Sequence, residues 1–223
     1  MNDEMKEKTN AEMSEENSVL DFFDREENLS LALITAEHLD GIRLQYNNRF
    51  WTALREQLDA FIAQKGLQWR TEFTEDRNTE DCLVGLHLDP IIDQRAFLRP
   101  FMEQQLLGEN YRIYFGLMWN AAPEPFQKNL PAVTALQSNL SNAGFKQSDS
   151  FLAWQWSRWY PRRKDFLLRF AGKRDEVLLD AMQPWRALLD EYGELLRLAN
   201  VALNEVPRSA VVSLDKLRSK STG

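Results

Sequence analysis

Between Tyr111 and Asn120 large apolar side chains fall on every second residue: Tyr111, Ile113, Phe115, Leu117 and Trp119 alternate with Arg112, Tyr114, Gly116, Met118 and Asn120. Successive side chains of a strand point to opposite faces, so this period of two commits the segment to a sheet with one fully buried face. A strand of this kind needs partners. Further extended candidates run from Leu67 to Phe73, from Cys82 to Leu88 after the polar turn Glu75 to Asp81, from Phe151 to Tyr160, and from Asp165 to Phe170. The first two are spaced as a hairpin.

Elsewhere the period is helical. Leu29, Ala32, Leu33, Ala36 and Leu39 recur at helical spacing, and Phe50, Trp51, Leu54, Leu58, Phe61 and Ile62 do so again. This predicts two amphipathic helices, separated or bent near Gly41, the second ending at Lys65-Gly66, where a glycine can take the left-handed position. The stretch Ile91 to Leu107, between Pro90 and Gly108, reads as a helix bent or begun near Pro100. Val133, Leu136 and Leu140 mark another that ends at Asn142-Ala143-Gly144. From Glu176 to Asn204 the apolar positions describe one or two long helices, with Pro184 at a kink or break. The predicted fold class is α+β: an antiparallel sheet of about four or five strands flanked by helices, with a long C-terminal helical segment.

With 13 Phe, 7 Trp and 43% hydrophobic residues the chain can fill the core of one α+β domain, placed at residues 19–206. Residues 1–18 are charged and almost free of large apolar side chains, and are expected to form a disordered acidic tail. Residues 207–223 are expected to fray, although Val211, Val212 and Leu214 could dock. The net charge of −7 lies in the tail: residues 1–28 hold ten acids against three bases, leaving 24 of each sign in the rest. The low isoelectric point therefore says little about what the folded part binds.

Several classes of function find no support in the residues. No run of roughly 18 apolar residues occurs, and the first residues are acidic where a signal peptide would be basic, so a cytoplasmic location and no membrane partner are expected. The single Cys82 and the two histidines, His38 and His87, match no zinc spacing, and the nine glycines form no phosphate loop. No metal and no cofactor are expected. His38 stands beside Glu37 and Asp40, and His87 near Asp89, but neither belongs to a set of base, orienting group and nucleophile. No catalytic residue is assigned.

The most suggestive chemistry is WQWSRWYPRRK at 154–164. From Arg158 to Arg174 there are seven bases and one acid, Asp165. Arg158, Trp159, Arg162, Arg163, Lys164 and Arg169 are the candidate nucleic-acid contacts, since guanidinium and ammonium groups attract phosphate and interleaved indoles can stack on bases. A second reading stands beside it: Trp154 and Trp156 face the core, while the arginines solvate a turn and pair with acids such as Asp175 and Glu176.

Residues 28–66, NLSLALITAEHLDGIRLQYNNRFWTALREQLDAFIAQKG, with a helix opening on Phe50-Trp51, together with the strand YRIYFGLMWN at 111–120 and the closing helix LLDEYGELLRLANVALN at 188–204, resemble the C-terminal accessory region of bacterial PD-(D/E)XK nuclease superfamily proteins. The catalytic core is missing. Such nucleases hold a divalent metal with two carboxylates and place a lysine two residues after the second. Here only Glu4 precedes a lysine, Lys6, at that spacing. The resemblance implies a non-catalytic accessory or recognition module, associated with nucleic acid in bacterial defence, whose partners would be DNA, RNA or a nuclease partner protein. The alternative from a different class is a small protein-interaction module acting through a hydrophobic groove and the acidic tail.

Overall fold

The computed structural model describes residues 17–108 and 110–205. Most of the acidic tail expected over 1–18 and the C-terminus expected to fray over 207–223 lie outside the described residues. The chain divides into two compact units, Met1–Tyr46 and Asn47–Gly223.

In the first unit the described residues are helical over 17–23 and again from the start of α1 (Glu26–Lys65). Leu29, Leu31, Leu33 and Ile34 are exposed along it. Two helices were expected, and one helix of 40 residues is found. Gly41 does not break it: a glycine inside a helix costs only about 1 kcal/mol, and here it meets no packing demand.

The second unit takes the rest of α1, where the buried positions Asn47, Phe50, Trp51, Leu54, Leu58, Phe61 and Ile62 form one stripe. The helix stops as predicted. Gly66 adopts φ +64°, its N–H donates to Ala63 O at 3.2 Å, and the Leu67 N–H donates to Ile62 O at 3.0 Å, which closes the terminal carbonyls in a Schellman arrangement.

Five strands follow in chain order as one antiparallel meander: β1 (Trp69–Glu75), β2 (Leu83–Pro90), β3 (Leu98–Leu107), β4 (Asn110–Trp119) and β5 (Phe151–Trp156). Between β4 and β5 lie a single turn α2 (Pro125–Lys128) and α3 (Pro131–Asn142), and after β5 come α4 (Lys164–Gly172), α5 (Arg174–Arg186), a π-helical turn (Ala187–Glu191) and α6 (Gly193–Glu205). The fold is α+β, a five-stranded antiparallel sheet flanked by helices with a long C-terminal helical segment.

Three local expectations are corrected. The segment 91–107 is not a helix; its second part is β3, a central strand. Pro100 can sit there because the β2–β3 pairing runs only from Gly85↔Glu103 to His87↔Phe101 and ends before it, so its missing N–H breaks no bond on that side. The segment 165–170 is not a strand but lies in α4. Phe166 and Phe170, four residues apart and both buried, stack at 6.4 Å, and a spacing of four lines up side chains on a helix, not on a sheet. Of the kink or break expected at Pro184, the break is not there: α5 passes through the proline and the break comes after the π-helical turn, where the Tyr192 N–H reaches Ala187 O.

One face of the sheet meets the helices. Leu86, Leu88, Leu98, Met102, Ile113 and Leu117 lie on it and are fully buried. Trp51 Nε1 on α1 donates to Gln104 Oε1 on β3 at 3.4 Å. Asn200 on α6 holds both backbone groups of Leu98 on β3, accepting from its N–H at 2.7 Å and donating to its O at 3.0 Å.

Gly116 sets how closely β4 and β5 approach. A Cβ there would lie 2.0 Å from Ala153 O, and φ is +157°. Gly116→Ala is expected to destabilise by about 1–3 kcal/mol through strand displacement and strain. Urea unfolding checks it, and an unchanged midpoint would mean the strands part at no cost.

Candidate nucleic-acid interface

Alternation along paired strands sends Arg112, Tyr114, Gly116 and Met118 of β4 to the face opposite the helices. The register Tyr114↔Trp156 and Gly116↔Trp154 places both indoles of β5 beside them. Trp154 and Trp156 are half-buried there, not in the helix-covered core, which corrects the second sequence reading on this point. Their rings stand perpendicular at 5.6 Å, and each contacts Tyr114, at 6.4 and 5.4 Å.

Cations flank this pair of rings. Lys146 crosses to β5 through an isolated bridge, in which Lys146 and Trp154 exchange N–H···O bonds of 2.8 Å, and its ammonium lies 5.7 Å from the Trp154 ring. The Arg112 guanidinium lies 5.4 Å from Trp156 and 5.4 Å from Tyr160, and that of Arg163 also lies 5.4 Å from Tyr160. The result is a ladder: Lys146, Trp154, Trp156, Arg112, Tyr160, Arg163. Spacings of this size are within cation–π range.

The chain after β5 is held against β4. Ser157 N–H donates to Ile113 O at 2.9 Å, and the Ile113 N–H donates to Trp159 O at 3.0 Å. Ser157 Oγ accepts from the Trp159 N–H at 3.0 Å, and Arg112 Nε donates to Ser157 O at 2.9 Å. This turn delivers Arg158 and Trp159 to a cleft of about 280 Å³ completed by Tyr160, Arg163, Asp165, Phe166 and Arg169. Arg158 and Arg169 donate to the same oxygen, Asp180 Oδ2, at 2.8 and 2.9 Å. The hydrogen bond from Arg169, with the charge of Arg158 beside it, holds the Asp180 carboxyl below its ordinary range.

Of the six predicted contact residues, the cleft therefore brings together Arg158, Trp159, Arg163 and Arg169. Arg162 turns away: its guanidinium lies 4.0 Å over the Tyr111 ring and donates to Cys82 Sγ at 3.1 Å. Lys164 is exposed at the start of α4. Among the described residues the expected pairing with Asp175 or Glu176 is seen between Lys173 and Glu176, at 3.5 Å, while Arg158 and Arg169 use Asp180 and Arg163 lies 3.8 Å from Asp165.

Sequence reasoning missed Arg112 and Lys146. Arg112 carried a signal, since it falls in the outward phase of the alternating strand. Lys146 carried none, being placed by a bridge that only the fold reveals.

The remaining candidates do not line the cleft. Cys82 is buried, and burial raises its thiol pKa against the opposing charge of Arg162. His87 Nδ1 meets Thr74 Oγ1 at 3.1 Å, and burial, reinforced by Arg99, lowers its pKa, which keeps the ring neutral at pH 7. Thr74 also donates to Glu103 Oε1 at 3.1 Å and Tyr114 OH to Glu103 Oε2 at 2.8 Å. Burial, then Glu103, pushes the Tyr114 phenol up. His38 is exposed on α1. Among the described residues no three His, Cys, Asp or Glu side chains gather as metal ligands would, and no helix is long and apolar enough to cross a membrane. No family model, no curated protein and no solved structure matches the chain.

Proposed function

We propose that the chain is a non-catalytic recognition module that binds single-stranded nucleic acid along the outer edge of its sheet. The observation that carries this reading is the cation–aromatic ladder from Lys146 to Arg163, which runs at intervals of 5.4–5.7 Å. Single strands are held by alternating needs: aromatic faces for unpaired bases and cations for the phosphates between them. A link to PD-(D/E)XK nuclease proteins, as an accessory or partner module in bacterial defence, belongs to the same proposal and rests on the likeness of residues 28–66, 111–120 and 188–204. A cytoplasmic location goes with it.

Because Trp154 and Trp156 stand in the ladder, adding single-stranded DNA or RNA at low salt is expected to quench tryptophan emission. Fluorescence unchanged by either nucleic acid would remove the reading. With magnesium or manganese the purified protein is expected to leave DNA uncut, since the chain has no Glu-x-Lys outside Glu4 to Lys6. Metal-dependent cleavage that survives stringent purification would contradict the non-catalytic assignment.

A separate observation favours the protein-interaction reading: a groove of about 500 Å³ whose walls include Leu67, Trp69, Ile92, Leu196 and Val201. That reading leads if neither DNA nor RNA changes the emission.

A further inference from the structure

At its Tyr160 end the ladder opens into the arginine cleft. Arg163 serves both, lying over Tyr160 while lining the cleft. Three guanidinium groups, those of Arg158, Arg163 and Arg169, border a space of about 280 Å³. That is several times the roughly 30 Å³ of one water molecule, enough for a phosphate and the sugar that bears it. Two of the three arginines are already organised around an oxyanion: Arg158 and Arg169 converge on a single oxygen of Asp180, at 2.8 and 2.9 Å. Convergence of two guanidinium forks on one oxygen is also how arginines grip phosphate. The indole N–H of Trp159, on the same cleft, is buried and has no hydrogen-bond partner among the described residues.

Resting on the single-strand reading, we infer that this cleft takes the terminal phosphomonoester of the bound strand, and that the phosphate competes for Arg158 and Arg169 with Asp180, which holds both from outside the cleft lining. A terminal monoester carries a charge of about −1.5 to −2 at pH 7 and offers three acceptor oxygens. An internal diester carries a single charge and only two free oxygens. The end of the strand is therefore the better competitor against a carboxylate already in place. Arg163 adds the third guanidinium, 3.8 Å from Asp165, whose carboxylate also lines the cleft and offsets part of that charge.

The test compares labelled oligothymidylates bearing a 5′-phosphate, a 3′-phosphate or hydroxyl at both ends, each titrated into the full chain. One phosphorylated strand is expected to bind about tenfold tighter than the hydroxyl strand, which of the two giving the polarity of the ladder. Asp180→Asn, which removes the competing charge, is expected to widen that ratio. Arg158→Ala, at a side chain 72% exposed, and the double variant Arg158→Ala/Arg169→Ala are expected to bring the ratio towards one. Inorganic phosphate should erase the preference in the wild type. Equal binding of all three strands by wild type and Asp180→Asn overturns the terminal-phosphate inference and leaves the single-strand reading standing; no binding of any strand at low salt overturns both.

Discussion

Replacing Trp51 by alanine is expected to cost about 3–5 kcal/mol of stability, the range for removing a buried aromatic ring and leaving its cavity. Trp51 is fully buried on α1, at the centre of the second unit. Its ring packs edge-on against Phe50 at 5.0 Å, and Phe50 continues the cluster to Phe166 and Phe170 on α4 at 5.1 and 5.7 Å. The indole also bonds Gln104 in the middle of the sheet, so the truncation leaves a buried amide short of a donor as well as a void. Trp51→Phe keeps most of the apolar volume and should recover more than half of the loss. Urea unfolding followed by far-ultraviolet circular dichroism reads both. A Trp51→Ala curve close to wild type would mean that α1 does not fasten the sheet in solution.

The second large effect is on binding. The double variant Trp154→Ala/Trp156→Ala is expected to weaken single-strand affinity about a hundredfold or more, since each stacked base is worth about 1–3 kcal/mol. Both rings are half-buried on the outer face and touch Tyr114, so the variant is compared with Trp154→Phe/Trp156→Phe, which keeps the apolar faces and should retain most of the affinity. Thermal midpoints separate the effects: a double alanine variant that melts near the phenylalanine variant but binds far more weakly locates the loss in the interface. Equal affinity of wild type and the double alanine variant would take the tryptophans out of the site.

The sequence carried the sheet's clearest strand because β4 alternates without interruption and one phase of it is buried at Ile113, Phe115 and Leu117, and the end of α1 because Lys65-Gly66 is a local signal. It misled at β3, where Phe97 and Phe101 stand four apart as in a helix and Pro100 suggested a break. What makes a strand there is long-range: pairing with β4 along its whole length, from Leu98↔Trp119 to Leu107↔Asn110. At α4 the reverse happened, because Phe166 to Phe170 is too short an apolar run to fix its own period. The basic stripe was legible as a cluster, and its division was not. Local sequence does not distinguish Arg162, folded over Tyr111 and Cys82, from Arg163 beside it, which faces the cleft. Arg112 and Lys146 reach the ladder only through the β4–β5 register, such as Tyr114↔Trp156, and the bridge from Lys146 to Trp154, pairings that a local window of sequence does not reveal.

The ladder's role is tested most directly by titrating the purified chain with a labelled single strand and with a duplex of the same sequence over a series of salt concentrations. Phosphate contacts release counterions, so for the single strand the logarithm of the association constant should fall linearly with the logarithm of salt. Its slope should correspond to about two to four contacts from Lys146, Arg112, Arg163 and the cleft. The duplex, whose bases are already stacked on one another and cannot reach Trp154 or Trp156, should bind more weakly at every salt concentration. Duplex binding as tight as that of the single strand, or no binding of either at low salt, would contradict a single-strand interface on this edge of the sheet.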